Sequence, residues 1–196
     1  MSATSAPFGL RPAFHPSGLD RAQALAGGIP SAFATAIYKG QPVRYQSTAI
    51  GGTLGTITPA TTSGAWSGAF AGVQWTDTTG RRRVSNYWPA STAYQAGSCI
   101  AYVWDDPLVV YEMQAAGSLT QAAIGEQFDI TNETAGSTTT GLSQCTLGTS
   151  AAGAGNNKQM RVVNLAPYPG NAWGDAYTIV QCQISEHQYV ATIGAV

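Results

Sequence analysis

The segment AYTIVQCQIS, residues 176–185, alternates without interruption: Tyr177, Ile179, Gln181, Gln183 and Ser185 share one side, and Thr178, Val180, Cys182 and Ile184 the other. A period of two puts successive side chains on opposite faces and predicts a β-strand. Similar alternating or β-branched runs recur between glycine-rich breaks: FATAIY (33–38), GQPVRYQ (40–46), AGVQWT (71–76), SCIAYVW (98–104), PLVVYEMQ (107–114), QFDIT (127–131) and MRVVNLA (160–166). Between Gln41 and Val196 no stretch free of Gly and β-branched runs carries apolar residues at i, i+3, i+4 and i+7. GSLTQAAIGEQF (117–128) allows one short helical turn. Short strands with glycine-rich turns predict a mainly β chain, an antiparallel β-sandwich or barrel of jelly-roll-like kind. The Asp77 to Gly80 segment has hairpin-turn chemistry, which places Trp75 and Val84 on adjoining strands. GGTLGTITPATTSGAWSG (51–68), NETAGSTTTG (132–141) and GTSAAGAGNNK (148–158) read as long Gly/Ser/Thr-rich loops, a common form of contact element.

The opening SATSAPFGLRPAFHPSG, residues 2–18, is of another kind. Pro7, Pro12 and Pro16 remove amide donors and push Ala6, Arg11 and His15 toward extended geometry, so a helix is not expected. The same prolines, with Gly9 and Arg11, break any apolar run of secretory-signal length. Yet Phe8, Leu10 and Phe14 are side chains that a solvated tail rarely keeps. Residues 1–30 therefore read as an extended N-terminal arm ahead of a single β-rich domain, 31–196. The arm is expected to be covered by other protein, and its removal to leave the body folded.

Charged residues make up only 10% of the chain, against about 25% in an ordinary soluble domain. Either hydroxyls and amides solvate much of the surface or protein covers it. A net charge of −1 offers no field to draw nucleic acid or an anionic membrane, and no apolar run is long enough to span a bilayer. Neither partner is expected. Cys99, Cys145 and Cys182 are widely spaced, without a C-x-x-C signature, and read as buried thiols in a reducing cytoplasm.

The residues of chemistry are sparse. Of the two histidines, His15 lies in the arm, and His187 has Glu186 as a neighbour pointing to the opposite face; it reads as a surface or interface histidine. Asp105, Asp106 and Pro107 form a turn in preference to a calcium ligand set, although both are open to an Asp-Asp pair. GAGNNK (153–158) lacks the ending of a phosphate loop, GAWSG (64–68) misplaces the serine of a nucleophile elbow, and Asn132-Glu133-Thr134 is a sequon that matters only in a secretory pathway. No catalytic residue, cofactor or metal site is nominated, and an enzyme is not expected. Arg81, Arg82 and Arg83 are the densest charge; alternation sends Arg82 to the face opposite its neighbours, so pairing with carboxylates of another subunit explains them better than nucleic acid. The five tryptophans suit a core or an interface better than a sugar platform.

Four stretches carry a resemblance: SATSAPFGLRPAFHPSG at the start, GGIPSAFATAIYKGQPV (27–43), AFAGVQWTDTTGRRRVSNYWPA (69–90) and NAWGDAYTIVQCQI (171–184). Together they resemble the capsid cement, or decoration, proteins of tailed bacteriophages. The resemblance implies a non-enzymatic homotrimer on the outer surface of the virion capsid, assembled in the host cytoplasm, which bridges neighbouring major capsid subunits. On that reading the arm is a strap that binds partners through Phe8, Leu10, Arg11 and Phe14, and the hairpin binds through Arg81, Arg82 and Arg83. The competing readings are a carbohydrate-binding or host-attachment module of the virion and, with less support, a hydrolase of cell-wall or capsular sugar.

Overall fold

The computed structural model describes residues 2–18, 23–26, 28–46 and 55–190, the strand 23–26 by its backbone alone. Parts of the sequence reading lie outside these: residues 1, 19–22 and 27 of the arm, 51–54 of the first loop and 191–196 of the domain.

Among the described residues the chain forms β1 (Arg11–Phe14), β2 (Gln23–Ala26), β3 (Pro42–Tyr45), β4 (Ile57–Pro59), β5 (Gly68–Thr76) and β6 (Arg82–Ser85). These are followed by β7 (Ile100–Trp104), β8 (Val110–Gln114), β9 (Gln127–Thr131), β10 (Thr146–Ala151), β11 (Met160–Leu165) and β12 (Ile179–Ile184). Among the described residues one helical turn is present, Gln121–Ala123, inside the segment expected to hold one. The strands make two sheets, paired antiparallel throughout and packed as a β-sandwich. One runs β1-β8-β12-β11-β9-β10; the other runs β2-β7-β5-β3-β4, with β6 also on β5.

The nine-residue β5 organises the second sheet. One edge pairs with β7; the other meets β3 through Ala69 and Gly68, then β6 from Val73 to Thr76. A register shift between Phe70 and Gly72 re-phases the alternation, so Phe70, Val73 and Trp75 all reach one face while Ala69 points to the other. Both faces of this sheet are thereby buried. On one side Ala60, Trp66 and Ala69 join Tyr111, Met113, Phe128, Ile130, Leu147, Met160, Val162, Val180 and Cys182 of the first sheet in the larger core. On the other, Phe70, Val73, Trp75, Ala101 and Val103 are covered by Ile29, Ile37 and Trp88. Trp88 packs edge-on against Trp75 at 5.5 Å and Tyr94 at 6.0 Å.

FATAIY is not a strand. It crosses this second core as irregular chain, with Ile37 bridged to Trp88 and fully buried, so its apolar residues serve as a cover. Conversely, the loop readings at 51–68 and 148–158 each overlap a strand. Ile57 of β4 is buried against β3, and β10 extends from Thr146 to Ala151.

The N-terminal segment corrects an expectation. Its backbone is extended, but it lies along its own body. Ser2 Oγ donates to the Gly170 carbonyl at 2.7 Å, and Tyr177 N donates to the Ser2 carbonyl at 2.8 Å. Gln114 grips the chain twice: its Oε1 accepts from Ala6 N at 2.9 Å and its Nε2 donates to the Thr4 carbonyl at 3.0 Å. Leu10, 1% exposed, plugs the larger core, and its amide donates to the Gly40 carbonyl at 2.8 Å. β1 then pairs with β8 at the edge of the first sheet, and β2 with β7 at the edge of the second. An edge strand supplied by the same chain forgoes the loss of translational freedom that binding a second molecule would cost. The same pairing means that the body does not end at residue 31.

The crossing of segment and body is set by two glycines. Gly9 has φ +71°, and a Cβ there would stand 2.5 Å from the Gly40 carbonyl oxygen; Gly40 has φ +78°, and a Cβ there would stand 2.8 Å from the Leu10 carbonyl oxygen. Side chains at such φ cost about 1–3 kcal/mol before any clash. Gly9→Ala and Gly40→Ala should each lower the melting temperature by about 5–10 °C. Gly18→Ala, with φ +77° but nothing within 4 Å of its Cβ, should cost clearly less. Thermal unfolding followed by circular dichroism checks the ranking.

Candidate functional site

The four arm residues expected to bind partners have separate fates. Leu10 is in the core. Arg11 lies opposite Glu112 in the β1–β8 register, and its Nη2 and Nε stand 2.7 and 3.2 Å from Glu112 Oε2. Tyr168 Oη bonds both the Arg11 guanidinium and the Glu112 carboxylate. The Arg11 Cζ stands 4.8 Å from the Phe8 ring centroid and 5.3 Å from that of Tyr168, so the guanidinium lies within cation–π distance of both rings. Glu112 is 8% exposed, and a carboxylate so buried requires the cation beside it. Phe8 and Arg11 thus serve the chain's own body first. Only Phe14, 46% exposed, is left free to meet another molecule.

Beyond Phe14, the His15 Nε2 stands 3.1 Å from Asp106 Oδ2, and Asp106 Oδ1 accepts the Leu108 amide at 2.8 Å. Asp105 Oδ2 accepts the Tyr45 hydroxyl at 2.8 Å. The Asp-Asp pair is therefore committed to a turn and to two separate partners. Among the described residues no group of three or more His, Cys, Asp or Glu side chains is placed to hold a metal ion.

His187 corrects a second expectation, because it is buried at 2% exposure and is not a surface group. Its Nδ1 accepts the Tyr189 amide at 3.1 Å, and burial pushes its pKa below the ordinary histidine value. The segment that carries it docks on β3. Gln188 bonds both the amide and the carbonyl of Tyr45, at 2.8 and 3.2 Å, and the exposed Tyr189 ring stacks on Tyr45 at 5.5 Å.

The arginine hairpin forms where its turn chemistry places it. Asp77 Oδ1 accepts the Thr79 amide at 2.9 Å, the Thr79 hydroxyl at 2.6 Å and the Arg81 amide at 3.0 Å, which closes the turn. Arg82 and Arg83 take opposite faces of β6 as alternation requires: Arg82 bonds Gln74, and Arg83 Nε pairs with Asp77 Oδ2 at 2.9 Å. Arg81 alone of the three has no side-chain partner among the described residues. Val84, 76% exposed, stands beside them on a strand that pairs only with β5.

The remaining motifs are absorbed by the fold. Ser67 of GAWSG is buried, with its hydroxyl on Gln188; Lys158 of GAGNNK pairs with Asp129 at 3.2 Å and the Ser150 carbonyl at 2.8 Å. Trp66, Trp75 and Trp88 are buried, whereas Trp104 and Trp173 are half-buried at the edge of the larger core.

Sequence reasoning missed a groove of about 330 Å³ against the inner side of the arm. Phe8, Leu10, Trp104 and Leu142 supply its apolar lining, and Arg11 and Lys39 its two cationic side chains. These residues come from four separate stretches of the chain, near residues 8–12, 39–40, 104 and 142, and no local pattern joins them.

Comparison with protein family models, with curated proteins and with solved structures finds no match to this chain.

The site yields two expectations. Burial raises the Cys99 thiol to about 11 and the Cys145 and Cys182 thiols well above the ordinary range, which keeps them protonated. A disulfide reagent at about pH 8 should therefore leave all three unmodified in the folded chain, and titrate all three in denaturant. The Thr79 hydroxyl, the Arg81 amide and Arg83 hold the Asp77 carboxyl well below its ordinary 3.8. A depressed pKa contributes stability that is complete above the ordinary value and disappears as pH falls through the folded value. The melting-temperature advantage of the native chain over Asp77→Asn should accordingly shrink as pH is lowered from about 5 to about 2.

Proposed function

We propose that this chain is a structural protein of a tailed-phage virion, which sits on the outer surface of the capsid as a homotrimer and braces the shell by bridging neighbouring major capsid subunits. The observation that carries the reading is an exterior poor in charge and dotted with large apolar side chains. Phe14, Val84, Leu108, Ile124, Leu142, Val163, Tyr189 and Val190 are all exposed on a chain with only 10% charged residues. Such surface favours burial against protein. The resemblance of the four sequence stretches to cement proteins points to which protein.

The strap is narrower than the sequence suggests. Leu10 and Arg11 hold the arm to the body, and Phe14, on the exposed edge strand, carries the contact with the shell. Arg81, with Arg82 and Arg83 beside it, offers charge to carboxylates of a neighbouring subunit. The carbohydrate-binding alternative loses support, because three of its five candidate aromatic platforms are buried.

Co-sedimentation with purified shells of its phage that lack this protein tests the reading. Saturable binding is expected, with Phe14→Ser and Arg81→Glu each weakening it about tenfold and leaving the melting temperature within a few degrees of native. A chain that stays in the supernatant at micromolar concentration contradicts the proposal.

A further inference from the structure

The groove beside the arm has a property that neither the core nor the hairpin shares: its lining is apolar except for two cationic side chains, Arg11 and Lys39. Lys39 Nζ lies 5.9 Å from the Trp104 ring centroid, and among the described residues no carboxylate stands within ion-pair distance of it. Arg11 is balanced by Glu112, set back behind it at 10% side-chain exposure. One cation of the lining is therefore unneutralised, on a chain whose net charge is −1. Leu142, 38% exposed, lines the same groove. The backbone around it is firmly held: Lys39 N donates to the Gly141 carbonyl at 2.9 Å, Ser143 N donates to the Lys39 carbonyl at 2.9 Å, and Leu10 N to the Gly40 carbonyl at 2.8 Å. The groove is thus bordered by hydrogen-bonded main chain and needs little rearrangement to receive a ligand.

A volume of about 330 Å³ is at the small end for ligand sites, enough for one or two large side chains. We propose that the groove binds an extended acidic–apolar peptide segment of a partner protein, whose leucine or aromatic side chain enters between Phe8 and Leu142 over Trp104 while an adjacent carboxylate pairs with Lys39. The carboxylate supplies what Lys39 lacks, and the apolar side chain covers Leu142 and the half-buried Trp104. A polar or basic segment satisfies neither. Because Phe8, Leu10, Arg11 and Pro12 are half of the residues that line the groove, the site exists only while the N-terminal segment is docked. The inference does not depend on the capsid reading: a chain that binds no shell can still hold such a peptide.

The experiment is a titration of the full, isotope-labelled chain with acetyl-Gly-Leu-Glu-Phe-Gly-amide and with the same peptide carrying Lys in place of Glu, followed by amide and indole chemical shifts. The acidic peptide is expected to shift Lys39, Leu142 and the Trp104 indole, to bind more weakly in high salt, and to exceed the basic peptide in affinity. Lys39→Gln and Leu142→Ser should each weaken it about fivefold or more, while Val163→Ser, an exposed apolar residue on β11, leaves it unchanged. The spectrum of each variant reports its folding directly. Equal affinity for the two peptides, insensitivity to Lys39→Gln, or no shift up to the solubility limit overturns the proposal. Concentration-dependent self-association that is lost in Leu142→Ser assigns the groove to a second copy of this chain and overturns it equally.

Discussion

The structure depends on one close crossing of backbone over backbone. At Gly9 the N-terminal segment passes the turn at Gly40 with no room for a side chain on either strand of chain, and the Leu10 amide is thereby set on the Gly40 carbonyl while its side chain drops into the larger core. The turn belongs to the approach to β3 in one sheet, and the residues after the crossing become β1 in the other. A contact of only a few atoms thus ties the edge of one sheet to the other. The groove, the pairing of Arg11 with Glu112 and the exposed Phe14 all follow from where that crossing puts the chain.

The period-two runs made most of the sandwich legible. QFDIT is β9 residue for residue, and β12 buries Val180, Cys182 and Ile184 as its alternation implies. Runs at 40–46, 98–104 and 107–114 enclose β3, β7 and β8. What alternation cannot convey is a bulge: the shift at Gly72 lets Phe70 and Trp75 share a face, although their separation of five would place them on opposite faces of a regular strand. Strands made of Gly, Ser and Thr were also invisible. β10, TLGTSA, is held in its sheet by β9, and its own composition reads as loop.

The proposed interaction surface is legible in the sequence in kind more than in place. The sequence pointed to Phe8, Leu10, Arg11 and Phe14 because a proline-rich segment with aromatics demands a cover, and a cover exists; it is mostly the same chain. Residue type alone cannot say whether an apolar segment is buried at home or elsewhere, since the free energy of burying Leu10 is the same in both. The deciding terms were Glu112, Tyr168 and Gln114, which sit far along the chain and meet the arm only once the sheet has formed. Lys39, Trp104 and Leu142 were silent for the same reason. The hairpin shows the opposite case, since Asp77 makes its bonds to Thr79, Arg81 and Arg83 within six residues, and local chemistry sufficed to place it.

Native-state hydrogen exchange at the Leu10 amide, which donates to Gly40 across the crossing, tests the central claim most directly. If the segment is a built-in part of the sandwich, Leu10 exchanges only through global opening, at a rate that matches the Val180 amide of β12, an inner strand of the first sheet, and responds identically to added denaturant. Exchange of Leu10 close to the rate of an unstructured peptide, with Val180 still protected, would show that the first residues only rest on a body that folds without them.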